Sequence, residues 1–429
     1  MTKQKTDGWY LVFVLSCATI LSYLDRGIVN ILVPDLKRSL SLSEIEISII
    51  QGFSFSVSFA LAGLLIGVLV DRFSRKTIVI VGIVGWSLMT VLCGMANNFW
   101  QLFAARAGVG IGEACLLPAA YSMVSDSFSK AQRGLPMGMI ATATAIGGTA
   151  APLIGGGILK LLGTSEMVSL PVIGSIESWR MAFFIAASPS LLIVLLALTQ
   201  REPRRAGSSD VGYSGSSYFR FLAIEWRTFF PLYLAFSFIF MFSYASSAWA
   251  PTALVRIYGY TAADAGVGVG LAMAPGGILG TLLGGVLSDR LARKQGGIGR
   301  LRAWFGGTVP ALIAAALFVV DGPAWLFLLG MFLVQLVSGA LASLSYPALY
   351  DVVPPQFRGR SVAVYMLLGN VFGLGLGTTA VAFLTERVFA DENMVNVSMA
   401  WITAGSAIAS PLLILAQFRG YAALRARMA

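Results

Sequence analysis

The chain has 429 residues, of which 57% are hydrophobic and only 12% charged, and its mean hydropathy is +0.80. That balance excludes a soluble domain and defines a polytopic membrane protein. The net charge of +10 would suggest nucleic-acid binding in a soluble protein; here it reads as topology.

Apolar runs of spanning length recur at 9–33, 46–70, 77–96, 99–124, 134–159, 180–199, 228–255, 264–288, 302–320, 323–349, 359–385 and 396–418. Each is close to the roughly 20 residues that cross a bilayer at a helical rise of 1.5 Å. The first run is too long for a signal-peptide core, carries Asp25 and Arg26, and leads into a second span, so it is expected to stay in the mature chain. Of the 30 Lys and Arg residues, 22 fall in segments on the side of the N-terminus, six on the opposite side, and two, Arg26 and Arg106, inside spans. Short basic loops stay cytoplasmic, so both termini are expected there. Cys17, Cys93 and Cys115 all lie within apolar runs, with no metal or disulfide spacing, and read as packing residues.

An ionisable group near the centre of a span costs on the order of 2.5 kcal/mol or more, so it marks a functional site. The first and fourth runs hold four such groups: Asp25, Arg26, Arg106 and Glu113. Counting from the ends of their runs at 1.5 Å per residue places Arg26 and Arg106 at matching depth, roughly 7 and 9 Å outside the span midpoints. Glu113 follows Arg106 by seven residues, on the same face and about 10 Å deeper, with Gly108, Gly110 and Gly112 expected to leave open backbone around it.

Histidine is absent from the chain, so a proton carrier near neutral pH must be a carboxylate. Asp25, beside Arg26, is expected to stay ionised. Glu113 is then the group that takes up and releases a proton, freeing Arg26 or Arg106 to hold an anionic substrate. The competing reading is a static charge network that only ties the first span to the fourth.

The organisation is an internal repeat. Residues GVLVDRFSRK at 67–76 match GVLSDRLARK at 285–294, 218 residues later, and Asp126 with Arg133-Gly134 matches Asp351 with Arg358-Gly359, 225 residues later. The chain therefore divides into six-helix bundles at 1–199 and 228–429, joined by a charged, Gly/Ser-rich cytoplasmic linker at 200–227.

The Gly-x-x-x-Asp-Arg-x-x-Arg-Lys string after the second run resembles the cytoplasmic loop motif of the major facilitator superfamily. Twelve spans in two bundles, an all-α membrane protein, suit that fold. The resemblance implies a cytoplasmic gate at Gly67, Asp71, Arg72 and Arg75, with a weaker copy at Gly285, Asp289, Arg290 and Arg293, and with Asp126 beside it. Gly67 is expected to permit close helix approach. Residues 103–134, together with Tyr23-Leu-Asp-Arg26, are similar to the spinster-like branch, whose members are associated with lysophospholipids and phosphorylated sphingoid bases. In the fifth run, Gly138, Gly147, Ala151-Pro152 and Gly155-Gly156 resemble the antiporter string of the superfamily, with Ala151 replacing one Gly. Physically these are small residues for close packing around a bend at Pro152.

The second half carries no ionisable residue at comparable depth. It offers Phe236, Phe240, Tyr244, Tyr346, Tyr365, Met366 and Asn370, which would serve an apolar tail or simply pack the bundle. The asymmetry suits an amphiphile, its headgroup on Arg26, Arg106 and Tyr23, its tail near Tyr346, Tyr365 and Asn370. The expectation is a proton-coupled carrier of lysolipids or phosphorylated sphingoid lipids, with organic-anion symport or drug efflux as alternatives. It would act as a monomer in the bacterial inner membrane, with substrate, protons and membrane lipids as partners and no nucleic acid, metal or cofactor. An enzyme is disfavoured: there is no His and no Gly-x-Ser-x-Gly, and Asp25 has no second Asp to pair with. GVGIG at 108–112 lacks the preceding strand of a dinucleotide loop.

Overall fold

The computed structural model describes residues 2–129, 132–163, 167–170, 174–203, 215–295, 297–354 and 357–428. Among the described residues twelve helices are long and apolar enough to cross a membrane: α1 Asp7–Ile31, α2 Glu44–Gly67, α3 Arg75–Met95, α4 Phe99–Ser127, α5 Gly134–Leu162, α6 Ser178–Thr199, α7 Trp226–Tyr258, α8 Ala262–Leu291, α9 Ile298–Val319, α10 Ala324–Tyr350, α11 Arg360–Val388 and α12 Glu392–Arg427. They fall within a few residues of the expected runs, except that α12 extends some nine residues past its apolar stretch. One small addition was not expected: β1 Met167–Leu170 and β2 Gly174–Glu177 pair antiparallel between α5 and α6, with Met167 opposite Glu177.

Two compact units form, Met1–Ser208 with Gly259–Gly270 and Ser209–Tyr258 with Leu271–Ala429. In the first, α1 packs most extensively along α5, and α2 and α3 flank α4. The small residues of α5 explain the first of these contacts. A Cβ on Gly147 would stand 2.9 Å from Tyr23 Cβ and 3.1 Å from the Ile20 Cα, and one on Gly155 would meet Ile31 at 2.5 Å. Gly156 instead faces the first turns of α8, 2.6 Å from the Ala263 carbonyl, and a Lys160–Asp264 ion pair of 2.8 Å lies one turn further along α5. Pro152 sits inside the continuous helix.

The glycines of α4 do the opposite of what was expected. They do not leave open backbone around Glu113; they seat α4 against its neighbours. A Cβ on Gly110 would lie 2.4 Å from Ser58 Oγ and 2.6 Å from the Phe55 carbonyl, while Gly108 meets Met89 and Gly112 meets Trp86. Gly110→Ala should therefore cost about 1–3 kcal/mol through overpacking. Gly67 shows the reverse correction: nothing lies within 4 Å of its added Cβ, so it makes no close approach here, and the same holds for Gly285. Gly67→Ala should leave the unfolding midpoint of the detergent-solubilised protein unchanged or raised, and a fall as large as that of Gly110→Ala would contradict this.

Two local breaks shape the site. In α4 the regular helix Phe99–Glu113 ends at Glu113 and restarts at Leu116. Pro118 has no N–H to offer the Ala114 carbonyl four residues earlier, so the ladder opens directly beside Glu113. In α2, Ile49–Phe53 is a π-bulge, a wider turn that leaves carbonyls outside the regular pattern.

In the second unit α7 packs along α12 and α11, and α9 lies between α10 and α12. Gly369 and Gly373 let α11 close on Phe240, each placing an added Cβ 2.7 Å from that side chain.

Candidate functional site

Arg26 on α1 reaches across to Glu113 at the break in α4, Nε donating to Oε2 at 2.6 Å. The Glu113 side chain is fully buried, and 14% of the Arg26 side chain remains accessible. Three rings cage the guanidinium: Tyr23 and Phe55 at 4.6 Å and Phe59 at 5.1 Å from ring centroid to Cζ. Aromatic faces attract a cation and shield it from lipid.

Arg106 lies over the same ring, 5.6 Å from the Phe55 centroid. It is buried, donating from Nη1 to the Asp25 carbonyl at 3.2 Å and from Nε to the Ile50 carbonyl at 3.4 Å. Ile50 belongs to the π-bulge, which supplies the acceptor. Both arginines thus share one aromatic wall, in keeping with the matched depths expected from sequence.

The pairing of the carboxylates differs from expectation. Glu113, placed a helix pitch or two from either arginine, is in direct contact with Arg26. Asp25, expected to lean on the arginines, presents only its backbone to Arg106. Its side chain is buried, and among the described residues neither carboxylate oxygen meets a donor in bonding geometry. The adjacent Thr90 hydroxyl donates instead to the Trp86 carbonyl at 3.0 Å. The physical reason is the 100° step between neighbouring helical residues: Arg26 and Asp25 cannot face the same partner. Arg26 turns to α4, and Asp25 turns to α3.

Other predicted site residues fall elsewhere. Tyr23 belongs to the Arg26 cage. Tyr346, Tyr365 and Asn370 gather in the second unit, where Tyr365 packs edge-on to Phe236, Phe240 and Tyr346 at 5.4–5.6 Å. Tyr365 is fully buried, whereas Tyr346 and Phe240 are half-buried; Asn370 Nδ2 donates to the Met366 carbonyl.

The cytoplasmic-gate residues divide. Arg75 is buried and clips three segments of the first unit: it pairs with Asp126 of α4, donates to Ser122 Oγ at 3.1 Å, and reaches Glu202 and the Pro203 carbonyl (2.7 Å) beyond α6. Glu202 also accepts from the Arg75 backbone at 2.8 Å and from the Ser74 hydroxyl. Sequence reading missed Glu202, although it is the only carboxylate in the basic stretch 201–205. The side chain of Asp71 lies outside the described residues, and Arg72 is exposed.

In the second unit the expected copy at Asp289, Arg290 and Arg293 is exposed and does not perform the role of Arg75. Arg300 does, pairing with Asp351 at 2.6 Å and donating to Ser288 Oγ. Each arginine precedes its aspartate by 51 residues, so the repeat register that the fold uses is the 225-residue one.

Glu202 gives the clip a pH dependence. Partial burial works to raise its carboxyl, but the hydrogen bonds from Ser74 and from Arg75 outweigh it and hold the group below its ordinary value. A depressed folded-state value supplies stability that is complete above the ordinary 4.5 and is lost as pH falls through the lower value. An acid titration of the unfolding midpoint should show that loss below pH 4.5, and Glu202→Gln should remove it.

Twelve membrane-length helices among the described residues, in two units and with buried opposite charges beside a break in α4, suit a multi-pass membrane transporter. Residues 15–378 match the Major Facilitator Superfamily, and the chain belongs to that family. It is 29% identical over 390 residues to an MFS-type efflux pump of Mycolicibacterium smegmatis, covering 90% of this chain and 86% of that one. It is 26% identical over 334 residues to a probable L-galactonate transporter of Escherichia coli, covering 75% and 70%. Protein spinster homolog 1 of Xenopus laevis is 31% identical over 198 residues, 46% of this chain and 35% of that protein. Among solved structures, a bacterial homolog of the human lysosomal transporter Spinster superposes with a TM-score of 0.79 at 24% identity, covering 98% and 97% of the two chains. The spinster-like resemblance read from residues 23–26 and 103–134 thus meets a likeness in both sequence and fold.

Proposed function

We propose that this chain is a proton-coupled carrier of an anionic amphiphile, a lysophospholipid or phosphorylated sphingoid lipid, working by alternating access in a bacterial inner membrane. The observation that carries this reading is the Arg26–Glu113 pair: a cation caged by aromatic rings, partly accessible, and tied by one buried carboxylate. A proton on Glu113 removes the charge that holds Arg26. The guanidinium fork can then turn to a phosphate or carboxylate and bind it bidentately. Asp25 is the second carboxyl of the relay.

The aromatic cluster around Tyr365 supports an apolar tail, since the mid-span charges Asp25, Arg26, Arg106 and Glu113 all lie on α1 and α4 of the first unit. Gly67, Arg75 and Asp126 belong to the gate in this reading, and Gly147, Pro152, Gly155 and Gly156 to the packing surface that α5 presents during rocking. A second reading, efflux or symport of small organic anions, draws on the similarity to the efflux pump and to the galactonate transporter.

Proteoliposomes under an imposed proton gradient separate the two. Saturable uptake of a labelled lysophospholipid, competed by sphingosine phosphate but not by a sugar acid, supports the lipid reading. The reverse competition supports the small-anion reading. In either case Arg26→Ala should reduce uptake by about hundredfold, the loss of a charge-assisted pair worth roughly 3 kcal/mol.

A further inference from the structure

The accessible face of α1 does not end at Arg26. From Tyr23 to Asn30 only positions 23, 26 and 30 are open, and Leu24, Asp25, Gly27, Ile28 and Val29 are buried. Residues three and four apart share one side of a helix, so Tyr23, Arg26 and Asn30 form a single stripe. α2 matches that stripe in the opposite chain direction. Phe59 and Phe55 lie over Arg26 at 5.1 and 4.6 Å, and Gln51, four residues before Phe55, donates from Nε2 to Asn30 Oδ1 at 3.3 Å. Asn30 and Gln51 therefore make the next rung of the same ladder, about 5–6 Å along the helix from Arg26.

The π-bulge Ile49–Phe53 serves both rungs: its Ile50 carbonyl accepts from Arg106, and the next side chain, the buried Gln51, holds Asn30. Bulges of this kind recur at functional sites. An amide bond between two helices is by itself ordinary glue in a membrane. Glue of that sort is sealed and satisfied, whereas Asn30 is half-buried and, among the described residues, its Nδ2 meets no acceptor. Gln51 thus fixes Asn30 by its oxygen and leaves the amide donor on the open stripe that carries Arg26. A guanidinium selects charge, a phosphate or carboxylate; an uncharged amide selects a hydroxyl or carbonyl.

We propose that Asn30, positioned by Gln51, is a specificity residue that donates from Nδ2 to a hydroxyl carried within a few bonds of the anionic group of the substrate. The inference rests on Arg26 as the group that holds the anion. The substrate class it selects is a hydroxylated anion. The glycerol hydroxyl of a lysophospholipid and the hydroxyl beside the carboxylate of a sugar acid both supply that chemistry. An anion without the hydroxyl still meets Arg26 but leaves the Asn30 donor unused, at the loss of one hydrogen bond.

The test measures binding to the purified full-length protein in detergent with two matched pairs of probes: lysophosphatidic acid against its 2-deoxy analogue, and galactonate against 2-deoxygalactonate. In the pair that belongs to the substrate, the wild type should bind the hydroxylated member about tenfold more tightly, as one well-placed hydrogen bond allows. Asn30→Leu should bind both members alike, at the level of the deoxy probe, and Arg26→Ala should weaken both by the same factor. A contrast in the lipid pair assigns the hydroxyl to a lysophospholipid and one in the other pair to a sugar acid; either supports the contact. No contrast in either pair, or a contrast that survives Asn30→Leu, would overturn it. Should Asn30→Leu fail to fold, Gln51→Leu decides: Asn30 then stays without its holder, the contrast should drop to about threefold, and an undiminished contrast would overturn the proposal. Wild-type affinity in Arg26→Ala, with the contrast still lost in Asn30→Leu, would sustain the hydroxyl contact and remove Arg26 as the anion site, so the two readings fail separately.

Discussion

Glu113→Gln should abolish the response of transport to a proton gradient while leaving the anion site able to bind. The amide keeps the shape of the carboxyl but not its charge, so Arg26 loses the negative charge held 2.6 Å from its Nε and is left as a partly accessible cation caged by Tyr23, Phe55 and Phe59. Gradient-driven uptake in proteoliposomes should fall about hundredfold, equivalent to roughly 3 kcal/mol. Binding of an anionic substrate should become independent of pH and no weaker than in the wild type. Breaking a buried pair by removing one charge costs about 3–5 kcal/mol, so the variant should also unfold earlier, and anionic substrate should restore part of that loss. Uptake that keeps its full pH dependence in Glu113→Gln would remove Glu113 from the coupling. Asp25→Asn is the matched comparison. Its carboxyl has no donor to lose among the described residues, so stability should change little, and any change in the pH profile then reports on the proton itself.

The second large effect concerns Arg75 and its counterpart. Arg75→Ala removes the ion pairs to Asp126 and Glu202 and the bonds to Ser122 and Pro203 together, leaving carboxylates partly buried without their cation. A loss of about 3–5 kcal/mol is expected. Arg75→Lys should recover only part of it, because an ammonium cannot reproduce the guanidinium fork. Arg300→Ala should behave similarly in the second unit through Asp351. Arg293→Ala, at the position that the repeated string would favour, should stay within about 0.5 kcal/mol, as exposed surface substitutions do. Unfolding midpoints of the four variants measure this directly, and an Arg293 effect as large as that of Arg300 would restore the 218-residue register.

That register shows where sequence reading stops. GVLSDRLARK at 285–294 copies the letters of 67–76, and letters are what a one-dimensional comparison aligns. The ion pair depends instead on where α9 begins relative to α8, and the seven-position step from Arg293 to Arg300 moves the functional arginine past the copied string. Phe55 and Phe59 were missed for a different reason. In a membrane span, two aromatics four residues apart carry no mark that they face a cation rather than lipid. The π-bulge at Ile49–Phe53, which offers the Ile50 carbonyl to Arg106, likewise has no signature in composition.

What the sequence determined by itself was everything set by solvent and length: twelve spans, because a bilayer demands about 20 apolar residues each; the two-fold repeat; and the four charges that a membrane would exclude unless they served a purpose. It also placed Arg26 and Arg106 at one depth, since helical rise is constant. Only the tertiary structure decided who pairs with whom. Adjacent residues on a helix point 100° apart, so Asp25 and Arg26, neighbours in the chain, part company, and it is Arg26 that meets Glu113 of α4. Burial and helix rotation, neither of which is written locally, gave Glu113 its arginine and left the Asp25 carboxylate without a donor in bonding geometry among the described residues.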